Sequence, residues 1–245
     1  MKFFFLLVIL CTCEHLLSQK LQLHYDLRHT VDPKHTSKNF PTLYFEYFKS
    51  MDSGKSFVKP GSFLLKTQAD FFGTAKNIGQ VYMQVSQSFR CWRPKIFVQL
   101  QYSGGLGIAE PGSYGFYIGN AFSVGLGHPF QWKNAWFNVY ACYTYNNFKK
   151  PSNDMLASFY WWKGLLNYKI QFAGDINLWT INKDHGGPLT AGLHGKMIAA
   201  YGEPQLWYNL TKDFSAGSKL NLYFHVLTNE DRVQAYPTVA VMYHF

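Results

Sequence analysis

The sequence predicts an all-β chain, an antiparallel transmembrane β-barrel of about twelve strands preceded by a cleaved signal peptide. Three observations lead there. Segments of about ten residues, the length of a tilted bilayer-spanning strand, repeatedly alternate apolar and polar side chains. Aromatic residues make up 19% of the 245 residues and charged residues only 15%, against roughly 25% charged in an ordinary soluble domain. The chain also ends on an apolar row, Val239, Val241, Tyr243 and Phe245, where a soluble domain usually frays into a polar tail.

The N-terminus reads Met1-Lys2 followed by an apolar run from Phe3 to Leu10, then Cys11 to Ser18 before the polar pair Gln19-Lys20. One positive charge, a short apolar stretch and a small residue at the end form the layout of a secretory signal, too short to span a bilayer. The expected division is therefore residues 1–18 as signal peptide and 19–245 as barrel. Beyond it no run of about twenty apolar residues occurs, so helical spans are excluded. Cleavage leaves Cys91 and Cys142, too few for the disulfide framework of small exported domains. The formal charge is +9, and the removed segment carries one Lys and one Glu, so the mature chain stays basic.

Along the chain the period-two pattern of strands appears first in Leu21-Gln22-Leu23-His24-Tyr25-Asp26-Leu27-Arg28, with apolar odd positions and polar even ones. Thr42–Phe48 is less clean, with aromatics on both faces. Phe63 to Phe71, Val81 to Ser86, Ile96 to Ser103 and Phe137 to Thr144 repeat the alternation, as do Ile170 to Leu178, Gln205 to Leu210, Leu220 to Val226 and the terminal strand. A soluble sandwich and a membrane barrel both produce such rows. Length favours the barrel, since soluble strands have a mode of about five or six residues. So do the connectors: His29–Asn39, Gly104–Tyr114, Asn146–Ala157 and Asn182–Gly195 read as long loops after odd strands. Arg90–Pro94, Asn167–Tyr168 and Thr211–Ser215 read as tight turns after even ones, and Lys49–Gly61 breaks the rule by its length. The count of twelve therefore leaves room for ten or fourteen. A terminal Phe with Tyr two places before it resembles the signal read by outer-membrane assembly machinery, which makes that machinery an expected partner.

Four stretches, LQLHYDLRH at 21–29, VQLQYSGG at 98–105, FAGDINLW at 172–179 and GEPQLWYNL at 202–210, resemble an uncharacterised family of Gram-negative outer-membrane barrels related to Tsx nucleoside-specific channels. The resemblance implies a twelve-stranded monomer in the outer membrane of a Gram-negative bacterium, with a narrow lumen for selective passive transport of nucleosides. Gln84 and Gln101 stand where acids are expected in that family.

On the inner face the rows place Asp26, Arg28, Glu46, Lys66, Asp70, Tyr82, Gln84, Gln101, Tyr140, Asp175, Trp179, Glu203 and Trp207, the candidate solute-binding set. Amides and carboxylates hydrogen-bond hydroxyls and base edges, and aromatic faces stack on rings at roughly 1–3 kcal/mol each. A bland reading stands beside this one: inner charges in a narrow barrel pair with one another, Asp26 with Arg28 or Glu46 with Lys66, and side chains fill the space. Outward Tyr25, Tyr102, Tyr143, Tyr208, Tyr243 and Phe245, with Trp92 and Trp132 at turns, read as interfacial girdles. The expected partners are outer-membrane lipid and a small polar solute, without nucleic acid, cofactor or metal. Enzymatic activity is not expected, because His35-Thr36-Ser37 has no orienting third group; a closed structural or adhesive barrel and a lipid hydrolase are the alternatives. The histidines at 29, 35, 185 and 194 show no ligand spacing, and Gly104-Gly105-Leu106-Gly107 reads as a loop.

Overall fold

A computed structural model describes residues 17–245 apart from 50–57, 74–76, 91, 93–94, 110–113, 148–149 and 189. Its strands run in order β1 (Leu17–Asp26), β2 (Phe40–Lys49), β3 (Lys59–Asp70), β4 (Gln80–Arg90), β5 (Phe97–Ala109), β6 (Tyr114–Trp132), β7 (Ala135–Asn146), β8 (Ser152–Leu165) and β9 (Ile170–Asn182). They continue through β10 (Lys196–Gly202), β11 (Gln205–Asn209), β12 (Phe214–Phe224) and β13 (Val233–His244). A single helical turn, α1 (Arg28–Val31), follows β1. Every pairing is antiparallel, and β1 pairs with β13, which closes the sheet on itself.

Thirteen segments make twelve barrel strands, because β10 and β11 occupy one position. Both lie between β9 and β12, and the register is continuous across the break: Gly202 faces Ile176 and Gln205 faces Ala173. Pro204 causes the interruption, since it has no N–H to give the ladder. The flanking bonds survive on either side, Glu203 N–H to the Asp175 carbonyl at 2.9 Å and Leu220 N–H to the Pro204 carbonyl at 2.9 Å.

The two faces divide as the alternation requires. Gln22, His24 and Asp26 are buried while Leu23 and Tyr25 are half exposed. Polar side chains line the interior of β4, β5 and β8, whereas Leu100, Val124, Leu126, Met155 and Leu178 point outward. An apolar exterior around a polar interior is what a bilayer demands of a closed sheet.

Two connectors differ from the sequence expectation. Gly104–Tyr114 is not a loop, since Gly104–Ala109 extends β5 and Tyr114 begins β6. The glycines there fit close packing inside a sheet: a Cβ on Gly107 would lie 2.3 Å from the Phe116 ring, and one on Gly105 would lie 2.5 Å from the Val81 carbonyl. Asn146–Ala157 likewise contracts, because Ser152–Ala157 belongs to β8. At the other end, Asn167–Tyr168 and Thr211–Asp213 lie in tight connections, and Lys133–Asn134 makes a two-residue hairpin with φ of 47° and 59°, the mirror-image geometry that suits strand twist. The segment from Leu220 to Val226 stops being strand at Phe224. The expected signal segment lies outside the described residues as far as residue 16, as does most of the Lys49–Gly61 connector; Cys91 and Pro94 are outside them too. No helix among the described residues is long and apolar enough to cross a membrane.

Candidate functional site

Inward side chains from opposite walls meet at mid-height. Lys66 on β3 reaches Asp175 on β9 at 2.5 Å and Glu203 at 2.6 Å. Since β3 and β9 stand six positions apart in a ring of twelve, the ammonium bridges the full width of the lumen. Lys219 on β12 donates to the second oxygen of Glu203 at 3.1 Å, and the Tyr201 hydroxyl donates to the same oxygen at 3.1 Å. Asn177 holds the remaining oxygen of Asp175 at 2.7 Å and accepts from Ser158 at 2.5 Å. The register explains this convergence, because Asp175 and Glu203 are cross-strand neighbours on one face and present two carboxylates together. Two like charges side by side need cations between them, and Lys66 and Lys219 supply both.

Next to this network lies an amide and phenol layer. Gln84 donates to Gln101 at 3.2 Å and to the Tyr160 hydroxyl at 3.0 Å, while Tyr140 donates to Gln101 at 2.8 Å. One inward step from Glu46 towards the end that carries the chain termini, Phe48 on β2 meets Trp136 on β7 with centroids 6.0 Å apart. Between these crossings sits a chamber of about 660 Å³, walled by Lys66, Tyr140, Tyr160, Trp136, Trp162 and Trp207 together with the amides of Gln99, Asn138, Gln171 and Gln205. Small-molecule sites typically occupy about 300–1,000 Å³.

Twelve of the thirteen expected residues lie on the inward rows of the wall, and Arg28 lies beyond the end of β1 in α1. Glu46, Lys66, Tyr140, Asp175 and Trp207 line the chamber. Glu46 pairs with Lys20 at 3.2 Å, not with Lys66, although Lys66 is its cross-strand neighbour; the stronger claim of Asp175 and Glu203 draws the ammonium across. Trp207 is 2% exposed, donates its indole N–H to Gln205 at 3.0 Å and meets His24 edge to face. Glu203, Gln84 and Gln101 form the crossing layers, and Tyr82 sits beside Gln68 on the inner wall.

Asp26, Arg28 and Asp70 gather instead near the end remote from the termini. Asp26 receives both Arg28 Nε and Nη2, at 3.1 and 2.9 Å, as the sequence suggested. The guanidinium lies 4.6 Å from the Phe40 ring centre and 5.1 Å from that of Tyr236. Asp70 accepts from Thr42, Gln68 and Gln80. Trp179 packs against Tyr140, Cys142 and Leu156 and lies apart from the chamber.

Sequence reading passed over Lys20, Phe48, Trp136, Tyr160, Trp162 and Lys219. Parity carries the signal in each case: Lys20 continues the Gln22-His24 row, Trp136 the Asn138-Tyr140 row and Lys219 the Asn221 row. In β8 the run Phe159-Tyr160-Trp161-Trp162 hides the period, as both faces are aromatic. Two of the loop histidines bind within their own loop, His29 to the Thr36 carbonyl at 2.6 Å and His35 to Asp32 at 2.6 Å. Among the described residues, no group of three or more His, Cys, Asp or Glu is placed to hold a metal.

The closed sheet, apolar exterior and polar lumen define a transmembrane antiparallel barrel, and the NanC porin shares that architecture at a TM-score of 0.50 with 11% identity, covering 93% of this chain and 100% of that one. The chain belongs to the family described as Domain of unknown function (DUF5020), whose model matches residues 18–245. The KdgM porin is similar at a TM-score of 0.49 and 9% identity over 92% of this chain and 99% of its own, and LpxR from Salmonella typhimurium at 0.43 and 9% over 93% and 100%. No curated protein matches the sequence.

Proposed function

We propose that the barrel is an outer-membrane channel through which small polar solutes diffuse passively, holding them briefly in the chamber beside the Lys66–Asp175–Glu203 crossing. One observation carries this reading: a chamber of about 660 Å³ lies inside the lumen, with aromatic and amide side chains on its wall. Stacking at roughly 1–3 kcal/mol per ring suits a channel site, which must admit a solute and still release it. Nucleosides fit that lining, with a base to stack on the part-exposed Trp136 and ribose hydroxyls for the amides of Gln99 and Asn138. Sugars use the same groups, so the nucleoside assignment rests on the resemblance to Tsx channels. Cleavage of residues 1–18, passage to the outer membrane of a Gram-negative cell, reading of the Tyr243–Phe245 end by the assembly machinery and a monomeric state complete the proposal.

A second reading, a closed structural barrel, draws support from the three lumen crossings, Phe48 to Trp136, Lys66 to Asp175 and Gln84 to Tyr160. Planar-bilayer recording separates the two. The channel reading expects steady single-channel current, reduced by added nucleoside, with the reduction weakened in Trp136→Ala and retained in Trp179→Ala, both checked for heat-modifiable migration. Absence of any current from correctly folded protein favours the closed barrel.

A further inference from the structure

The outer wall over β6–β9 departs from the rest of the belt. Cross-strand neighbours Leu126, Ala141, Ala157 and Leu178 form one outward row. The two alanines leave a trough of about 550 Å³, flanked by Val139, Phe159 and Ile176. Below it, towards the end bearing the termini, the outward rings of Phe130, Phe137, Phe159, Trp161 and Phe172 follow one another at centroid spacings of 5.0, 5.7, 5.7 and 5.7 Å. Below the ladder stand Lys163 on β8, Lys133 in the hairpin and Lys95, whose carbonyl accepts from His128 at 2.7 Å.

Remote from the termini, Arg28, Lys150, Lys196 and Arg232 each have a carboxylate partner, while Lys34, Lys38 and Lys183 have none among the described residues. Lys95, Lys133 and Lys163 have none among the described residues, and the Lys133 ammonium instead lies 4.8 Å from the centre of the Trp132 ring. Unpaired lysines at a membrane rim are complementary to phosphate.

Distances agree with a lipid. From Lys163 to Ala157 is six residues, about 20 Å along the strand at ~3.3 Å each, which a tilt of about 45° converts to ~14 Å of depth. Half of a hydrocarbon core of about 30 Å is ~15 Å. The lysines therefore stand at the headgroup level when the alanine trough stands at the midplane, where an acyl chain ends.

We propose that this face binds one anionic phospholipid of the leaflet at the terminus-bearing end, its phosphate on Lys133 and Lys163, one acyl chain along the aromatic ladder and its tip in the Ala141–Ala157 trough. The site lies outside the lumen, and its test is independent of solute transport.

The experiment uses the purified, folded barrel in detergent, offered phosphatidylglycerol or phosphatidylcholine with identical acyl chains, with retained lipid counted by native mass spectrometry. The expected result is one retained phosphatidylglycerol, preferred over phosphatidylcholine by about fivefold for each lysine engaged. Lys133→Ala with Lys163→Ala removes the preference, and Ala157→Phe lowers retention of both lipids by filling the trough. Equal retention of the two lipids, no retained lipid, or an unchanged preference in the lysine double variant overturns the proposal. Heat-modifiable migration confirms that each variant is folded before it is scored.

Discussion

Lys66 is the residue on which the lumen turns. Its ammonium, 8% exposed, bridges two carboxylates that adjacent strands force together, with Lys219 supplying the second positive charge, and removing one member of such a group typically costs about 3–5 kcal/mol because a buried charge is left without its partner. Lys66→Met therefore lowers the stability of the folded barrel on that scale, measured by urea titration of heat-modifiable migration. The same substitution breaks the crossing to Asp175 and Glu203, so the surviving folded channels carry a larger single-channel current than the native protein. A smaller or equal current means that the crossing does not limit flow. The sequence displayed Lys66 as an inward cation but paired it with Glu46, its nearest cross-strand neighbour. Its actual partners stand five and six strands away, and only the closure and width of the barrel bring them within reach.

Among the elements, alternation was legible wherever the outward row is aliphatic, as in β1, β5, β7 and β13. It failed where both faces are aromatic, as in β8, and where glycines interrupt it, as in β5 beyond Ser103 and in β6. Turn composition misled at Gly104-Gly105-Leu106-Gly107, because glycine also lets neighbouring strands and rings approach closely. The extramembrane contacts between the loop after β1 and the loop before β13 depend on Asp32. Asp32 accepts from His35 at 2.6 Å and lies 4.0 Å from Arg232, and the hydrogen bond from His35 holds its carboxyl below the usual carboxylate range. A depressed carboxyl stabilises its contacts above the ordinary carboxylate value of about 3.9, and that stabilisation is lost as pH falls through the lowered folded value. Protease protection of the 27–39 loop should accordingly persist through mildly acidic pH and fall only below the ordinary carboxylate range. Asp32→Asn should already lack that protection at neutral pH; equal protection in the two proteins would remove Asp32 from the contact.

For the whole molecule, fold class and strand number followed from period, span length and the apolar final strand, because a bilayer imposes them on every barrel. What the rows could not convey is how far the lumen is filled, since that depends on which inward side chains meet across it. Phe48 with Trp136 and Lys66 with Asp175 are juxtapositions of opposite walls, invisible to any local pattern. The interior thus combines a chamber with a charged crossing, and both lie on the path that the proposed channel uses between the two ends of the barrel.

Cysteine modification during single-channel recording tests that path most directly. In a Cys91→Ser, Cys142→Ser background, Gln99→Cys places a thiol on the chamber wall and Leu100→Cys places one on the outer, lipid-facing wall. A bulky water-soluble thiosulfonate should reduce the current through the Gln99→Cys channel and leave the Leu100→Cys channel unchanged. Equal effects at both positions, or an effect at Leu100→Cys alone, would contradict a conducting route through this lumen.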